Sequence, residues 1–173
     1  EILRKFALHY KTGKPMPKAL LNKLIKARSF NVGYNMMELV EAAALDMQWH
    51  SLPGHAALQN ADQFETQALQ RVHLYLPQIP PRYRSTYFLH IWGNGYQAGY
   101  YSYLWTAMLA DDAYAWCQKH GGLTRANGQR FRNLILSRGN TEDYATMFRR
   151  FYGRNPQIGP MLKDLSLEAT LKK

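Results

Sequence analysis

Apolar positions along the chain recur at three- and four-residue intervals, the period of an α-helix, and no strand-length segment competes with strict alternation. Ile2, Leu3, Phe6 and Tyr10 mark the end of a helix, stopped by Thr12-Gly13-Lys14-Pro15. Pro17 suits the first turn of the next helix, where its missing N–H has no partner to lose. Leu20, Leu21, Leu24 and Ile25 give that helix an apolar stripe. Asn31 predicts the cap of a longer helix. Its apolar positions Met36, Met37, Leu39, Val40, Ala43, Ala44, Met47 and Leu52 fall nearly all round, so it should be well buried until Pro53-Gly54 ends it. Asn60-Ala61-Asp62-Gln63 resembles a capping box, followed at helical spacing by Phe64, Ala68, Leu69 and Val72. Leu76-Pro77-Gln78-Ile79-Pro80-Pro81 is an extended connector, because proline lacks the donor a helix needs and pushes the preceding residue to extended backbone. It is the one clear break in the chain, and the halves on either side are small for separate domains.

Beyond the connector, residues Arg82 to Trp92 are rich in aromatics until Gly93-Asn94-Gly95 interrupts. Ala98 to Gln118 reads as a long apolar helix closed by Gly121-Gly122. Thr124 caps the next helix, with Phe131, Leu134 and Ile135 as its core face and Gly139-Asn140 as its stop. Thr141-Glu142-Asp143 opens the last clear helix, with Tyr144, Met147, Phe148 and Phe151 inward and Gly153 and Pro156 ending it. The predicted fold is all-α, with residues 1–173 a single helical domain or a fragment of one. Glu1 begins the chain inside a helical pattern without an initiator Met, which favours the fragment.

Composition narrows the class. Hydrophobic residues make up 46% and charged residues 20% of the 173, which suits neither disorder nor low complexity. No apolar run approaches the roughly 18 residues of a membrane span, and no secretory signal opens the chain. The single cysteine, Cys117, excludes an internal disulfide framework and every multi-cysteine zinc motif, and suits a reducing, cytoplasmic compartment. The net charge is +10. Residues 1–60 carry eight basic and four acidic side chains, residues 61–119 four and four, and residues 120–173 ten and four. Both ends are basic and the middle is neutral. The basic residues lie mostly on polar helix faces, where solvation accounts for them, and no single element concentrates them as a nucleic-acid binder would.

A search for catalytic groups finds no complete apparatus. None of the six histidines forms H-E-x-x-H, and there is no G-x-S-x-G and no phosphate-binding loop. Asp46 and His50 are four apart on one helix with Glu41 nearby; a structural hydrogen bond is the ordinary meaning of such a pair. Cys117 has no neighbouring histidine and reads as a buried structural thiol. One segment differs from plain core: Tyr87 to Trp105, with His90, Gly93, Gly95, Tyr96, Tyr100, Tyr101 and Tyr103. Tyr96, Tyr100 and Tyr103 are spaced four and three, so a helix would place them on one face. Glycines allow close backbone approach to a ligand, and phenol hydroxyls can donate to a developing oxyanion. The same spacing fits an aromatic stripe packed into a core, and spacing alone does not choose between them.

Several stretches in order resemble the C-terminal part of the zinc metallopeptidase family of thimet oligopeptidase, neurolysin, oligopeptidase A and bacterial dipeptidyl carboxypeptidase. They are Phe30-Asn31-Val32-Gly33-Tyr34, Ala44-Leu45-Asp46-Met47-Gln48-Trp49-His50, Pro81-Arg82-Tyr83-Arg84-Ser85 and His90 to Trp105. Gly121-Gly122-Leu123-Thr124, Leu136-Ser137-Arg138-Gly139-Asn140 and Phe148 to Arg154 continue the match. The resemblance implies the helical C-terminal portion of a zincin-like peptidase that hydrolyses short peptides, with release of C-terminal dipeptides in the bacterial branch. It implies that zinc is held by H-E-x-x-H and a later Glu N-terminal to this region, so this chain would bind no zinc and be inactive alone, its partners being peptide substrates and the rest of the parent enzyme. By motif, Gly93, Gly95, His90, Tyr96 and Tyr100 carry over as substrate-facing residues and Tyr103 as the stabiliser of the oxyanion. Asn94 stands where the family usually has glycine. Arg82 or Arg84 could meet a substrate's C-terminal carboxylate. Neither nucleic acid nor membrane is an expected partner. The rival expectations are a free-standing helical module that binds peptide or protein, and a basic nucleic-acid-binding domain.

Overall fold

The computed structural model describes residues 2–168. Among them every regular element is helical; only two isolated antiparallel bridges, Leu8 with Pro15 and Leu76 with Ile79, interrupt the pattern. The chain divides into two compact units, one ending at Asn35 and one beginning at Met36. The first holds α1 (Ile2–Phe6) and α2 (Lys18–Ala27), neither with a buried residue. Pro17 is the N-cap of α2, as its fixed φ allows. Tyr10 lies outside α1, because the bridge at Leu8 turns the chain after Phe6. Glu1, on which the fragment reading partly rested, lies outside the described residues.

The second unit is built around the part of α3 (Val32–His50) from Met36 onward. Its burial is uneven. Ala42, Ala43 and Leu45 are buried, whereas Met47 is 41% exposed, so the helix is not apolar on every side as its composition predicts. The small Ala42 and Ala43 let Phe88, Ile91 and Tyr100 pack closely, with Leu39, Trp49 and Tyr83 at the edge. Leu45 faces a second cluster with Phe64, Ala68 and Leu69 of α4 (Ala61–Arg71). Two carboxylates on α3, Glu41 and Asp46, are fully buried, which an apolar pattern does not announce.

The caps follow the sequence closely. The Asn60 side chain accepts the Gln63 N–H at 3.0 Å and starts α4. Thr124 accepts the Asn127 N–H and starts α7 (Arg125–Phe131), which continues into a π-helical turn over Arg132–Leu136. Asp143 accepts the Thr146 N–H at 2.7 Å and starts α8 (Tyr144–Tyr152), closed by left-handed Gly153. A third cluster joins Ala113, Trp116 and Cys117 of α6 (Ser102–Lys119) to Phe148 and Phe151 of α8. Tyr144 is an exception to the predicted inward face: as the first residue of α8 it remains 62% exposed. The short α9 (Gly159–Asp164) lies past Pro156, where no helix was expected, and buries Met161.

Candidate functional site

The site is assembled on one face of α3. Asp46, Trp49 and His50 sit three and four residues apart, so their side chains emerge together. Trp49 Nε1 donates to Ser85 Oγ at 2.9 Å, and Ser85 Oγ donates to Glu65 Oε2 at 3.0 Å. The Ser85 N–H donates to the same oxygen, while Arg84 pairs with the other oxygen of Glu65. Trp92, at the end of the short α5 (Leu89–Trp92), donates its indole N–H to the Ser85 carbonyl at 2.7 Å. The 3₁₀ turn at Ser85–Tyr87 and α5 are thereby tied to both α3 and α4.

From α5 the chain enters the glycine-containing loop, and its closure is polar. The Tyr96 N–H donates to the His90 carbonyl at 3.2 Å and the Gly99 N–H to the Tyr96 carbonyl at 2.8 Å. At the far root, Asp46 Oδ1 accepts the Ala98 N–H at 3.0 Å and Oδ2 accepts the Tyr100 N–H at 2.9 Å. His50 Nδ1 donates to the Asp46 backbone carbonyl at 2.9 Å and stands 2.8 Å from Oδ1, and its ring lies 5.7 Å from Trp92. The Asp46–His50 pair is therefore structural: the imidazole bonds the Asp46 main chain and lies close to the carboxylate, whose own hydrogen bonds go to the loop.

This loop corrects the sequence expectation. The long helix begins at Ser102, not Ala98, because Ala98 adopts φ +54° under the hold of Asp46. Tyr96 and Tyr100 lie before the helix; of the three tyrosines only Tyr103 is on it. Tertiary packing brings them together nonetheless. The Tyr96 and Tyr103 rings stack at 5.2 Å with 16° between planes, and Tyr100 lies 4.9 Å from Tyr103. His90 stands 5.9 Å from Tyr96, 5.5 Å from Tyr100 and 6.3 Å from Tyr103. Tyr83, not singled out from the sequence, completes the ring around His90 at 4.8 Å.

The members differ in exposure. Tyr100 is buried in the core and its phenol is raised by burial, with Arg82 opposing the shift. Tyr103 is 38% exposed, so its face reaches solvent. Its hydroxyl is pushed up to about 12, first by its hydrogen bond to Tyr96 and next by desolvation, so it stays a proton donor throughout the neutral range. His90 Nδ1 is buried without a hydrogen-bond partner. Gly95 has φ +80° with open space where a side chain would point, whereas Gly93 has an ordinary φ and Leu89 as its neighbour. Asn94 does not occupy a left-handed position. Arg84 is engaged by Glu65 and Asp62 and is not a free carboxylate receptor.

No group of three or more His, Cys, Asp and Glu among the described residues could hold a metal ion. The nearest acidic groups do not fit one: both oxygens of Asp46 accept N–H donors, and Glu65 is neutralised by Arg84. Cys117 is buried on α6 and its thiol is raised by that burial, which removes it as a nucleophile. Among the described residues no helix is long and apolar enough to cross a membrane.

The profile of peptidase family M3 matches residues 1–167. The chain is 53% identical over 167 residues to dipeptidyl carboxypeptidase of Escherichia coli, covering 96% of this chain and 24% of that protein. It is 52% identical to the dipeptidyl carboxypeptidase of Salmonella typhimurium, over 96% of the chain and 25% of the relative. It is 36% identical to oligopeptidase A of Escherichia coli, over 92% of the chain and 23% of the relative. The chain thus spans about a quarter of the length of these relatives.

Proposed function

This chain belongs to peptidase family M3, a family of zinc metallopeptidases, and from that premise we propose that it is the substrate-channel portion of a peptidase that hydrolyses short peptides and releases C-terminal dipeptides. The observation that supports this reading is the convergence of His90, Tyr96 and Tyr103 around a partly exposed helix start, from two elements and a loop. The residues described here do not fit the zinc, so their part in the reaction is binding, orientation and charge stabilisation; without the rest of the enzyme the chain is inactive. Its compartment in this reading is the cytoplasm.

Tyr103 donates its hydroxyl proton to the oxyanion that develops when the peptide carbonyl is attacked. Tyr96, stacked beside Tyr103, favours the protonated hydroxyl, so the proton is available to the substrate oxygen at neutral pH. The start of α6 holds the ring rigidly, as a preorganised donor requires. His90 hydrogen-bonds the substrate backbone, Tyr96 positions the peptide, and Tyr100 fixes the base of the ring cluster. Gly93 and Gly95 let the loop backbone approach the peptide, Gly95 by its left-handed turn.

The test is steady-state kinetics in the complete enzyme on a peptide with a free C-terminal carboxylate. Tyr103→Phe removes one hydroxyl and keeps the ring, so kcat should fall on the order of 10²–10³-fold, equivalent to about 2.7–4 kcal/mol, with KM little changed. His90→Ala should raise KM as well, since a ground-state hydrogen bond is lost. Tyr101, half exposed just before α6, is the control, and Tyr101→Phe should be nearly silent. Equal, small effects at Tyr101 and Tyr103 would reduce the cluster to packing.

A further inference from the structure

The buried carboxylate of Asp46 does more than join α3 to a neighbour. Its two oxygens take the N–H groups of residues 98 and 100, one on either side of Gly99, at the point where the loop turns into α6. Two acceptors on one planar group fix both the position and the direction of the backbone between them. The strain at this point is real: Ala98 carries a Cβ at φ +54°, a conformation that ordinarily costs about 1–2 kcal/mol. Charge-assisted bonds from both amides are of the size needed to hold it. His50 Nδ1, bonded to the Asp46 backbone carbonyl, stands 2.8 Å from Oδ1 on the other side, and the Asp46 side chain is fully buried.

The two hydroxyls the proposed chemistry uses, those of Tyr96 and Tyr103, lie within a few residues of this grip. Tyr96 is two residues before Ala98, its carbonyl closing the turn onto Gly99. Tyr103 is three residues after Tyr100, in the first turn of a helix whose start depends on where residues 98–100 are held. His90 enters from the other root and has no bond of its own to Asp46. We propose that Asp46 is a positioning residue for the peptidase reaction: by holding the Ala98 and Tyr100 amides it sets the Tyr103 and Tyr96 hydroxyls in register with His90. The inference rests on the reading that Tyr103 meets the oxyanion, and it predicts an effect on turnover that passes through Tyr103.

The experiment is a double-mutant cycle in the complete enzyme. Asp46→Asn keeps the shape but turns an NH₂ toward one of the two amides, so one grip is lost. Displacing a catalytic group by about an ångström costs on the order of 10²-fold. Asp46→Asn alone should lower kcat about 10- to 100-fold with KM changed less than about threefold. In the Tyr103→Phe background the same substitution should lower kcat by no more than about threefold, because the hydroxyl it positions is gone. Should Asp46→Asn fail to fold, His50→Ala takes its place: it removes the ring nitrogen that stands 2.8 Å from Asp46 Oδ1, from a partly exposed position, and should lower kcat several-fold with the same dependence on Tyr103. An unchanged kcat, or an equal fall in both backgrounds, would overturn the positioning role. If Tyr103→Phe alone is silent, it is the oxyanion reading that fails, so the two failures are told apart.

Discussion

Single residues in this unit carry charge where an apolar pattern would place none, and Glu41 shows the consequence. Both of its carboxylate oxygens are buried without a hydrogen-bond partner. They line a cavity of about 110 Å³ with Glu65, Arg84, Tyr75 and the connector prolines. Burial first, then the charges of Glu65 and Glu38, raise its acid from 4.5 to about 7; the Leu76 amide eases the charge without making a full hydrogen bond. The folded state therefore keeps a proton that the unfolded state releases above pH 4.5 or so. The stability of the neutral acid is fully present below that pH and is lost as the pH rises through about 7. Glu41→Gln removes the titration and nearly keeps the shape. It should match the parent protein near pH 4 and be more stable at pH 8, by up to about 3 kcal/mol. Thermal unfolding across that range checks it, and parallel pH profiles for the two proteins would contradict it.

At the scale of the element, the loop before α6 separates two uses of glycine. Gly95 needs its left-handed backbone, and nothing stands within 4 Å of where a Cβ would lie, so the effect of Gly95→Ala is purely conformational. It should cost about 1–2 kcal/mol. Gly93 has φ −146° and a Cβ there would meet Leu89 Cδ1 at 3.4 Å, ordinary contact with a flexible side chain. Gly93→Ala should be within about 0.5 kcal/mol of neutral. Chemical denaturation of both variants separates the cases, and equal losses would show that the loop needs small residues rather than a particular φ. The neighbouring Ala98 reaches a left-handed φ without being glycine, because Asp46 supplies what the backbone alone does not.

Across the second unit, α6 is tied to the segment after α8 by a buried ion pair rather than by apolar contact alone. Arg154 meets Asp112 with two parallel bonds, at 2.7 and 2.8 Å, and lies over the Tyr152 ring at 3.6 Å. Asp112 is fully buried and keeps only the Gln157 N–H if the arginine is removed. Arg154→Ala leaves that charge unpaired and should destabilise the protein by about 3–5 kcal/mol. Arg150, paired with Glu142 at the surface, is the comparison: Arg150→Ala should change stability by less than about 1 kcal/mol. Urea unfolding of the two variants measures the contrast, and similar losses would mean that the buried pair adds little.

What the sequence by itself determined is local. Caps at Asn60, Thr124 and Asp143 were legible because a short polar side chain before an apolar period satisfies the first free amides; the prolines marked where no helix runs, but Leu76–Ile79 closes as a turn, with the Ile79 N–H on the Leu76 carbonyl at 3.0 Å, instead of running extended. The all-helical class followed from the same period. The cluster of His90, Tyr96 and Tyr103 was found through residue type and motif, but the reason given by spacing, one helix face, does not hold. Tertiary structure alone decided that Ser102 starts the helix and that tyrosines from loop and helix stack. It also decided that Tyr83 joins them and that Asp46 and Glu41 are buried. These depend on groups up to 54 residues apart, such as Asp46 and the Tyr100 amide, and a period of 3.6 residues carries no information at that range.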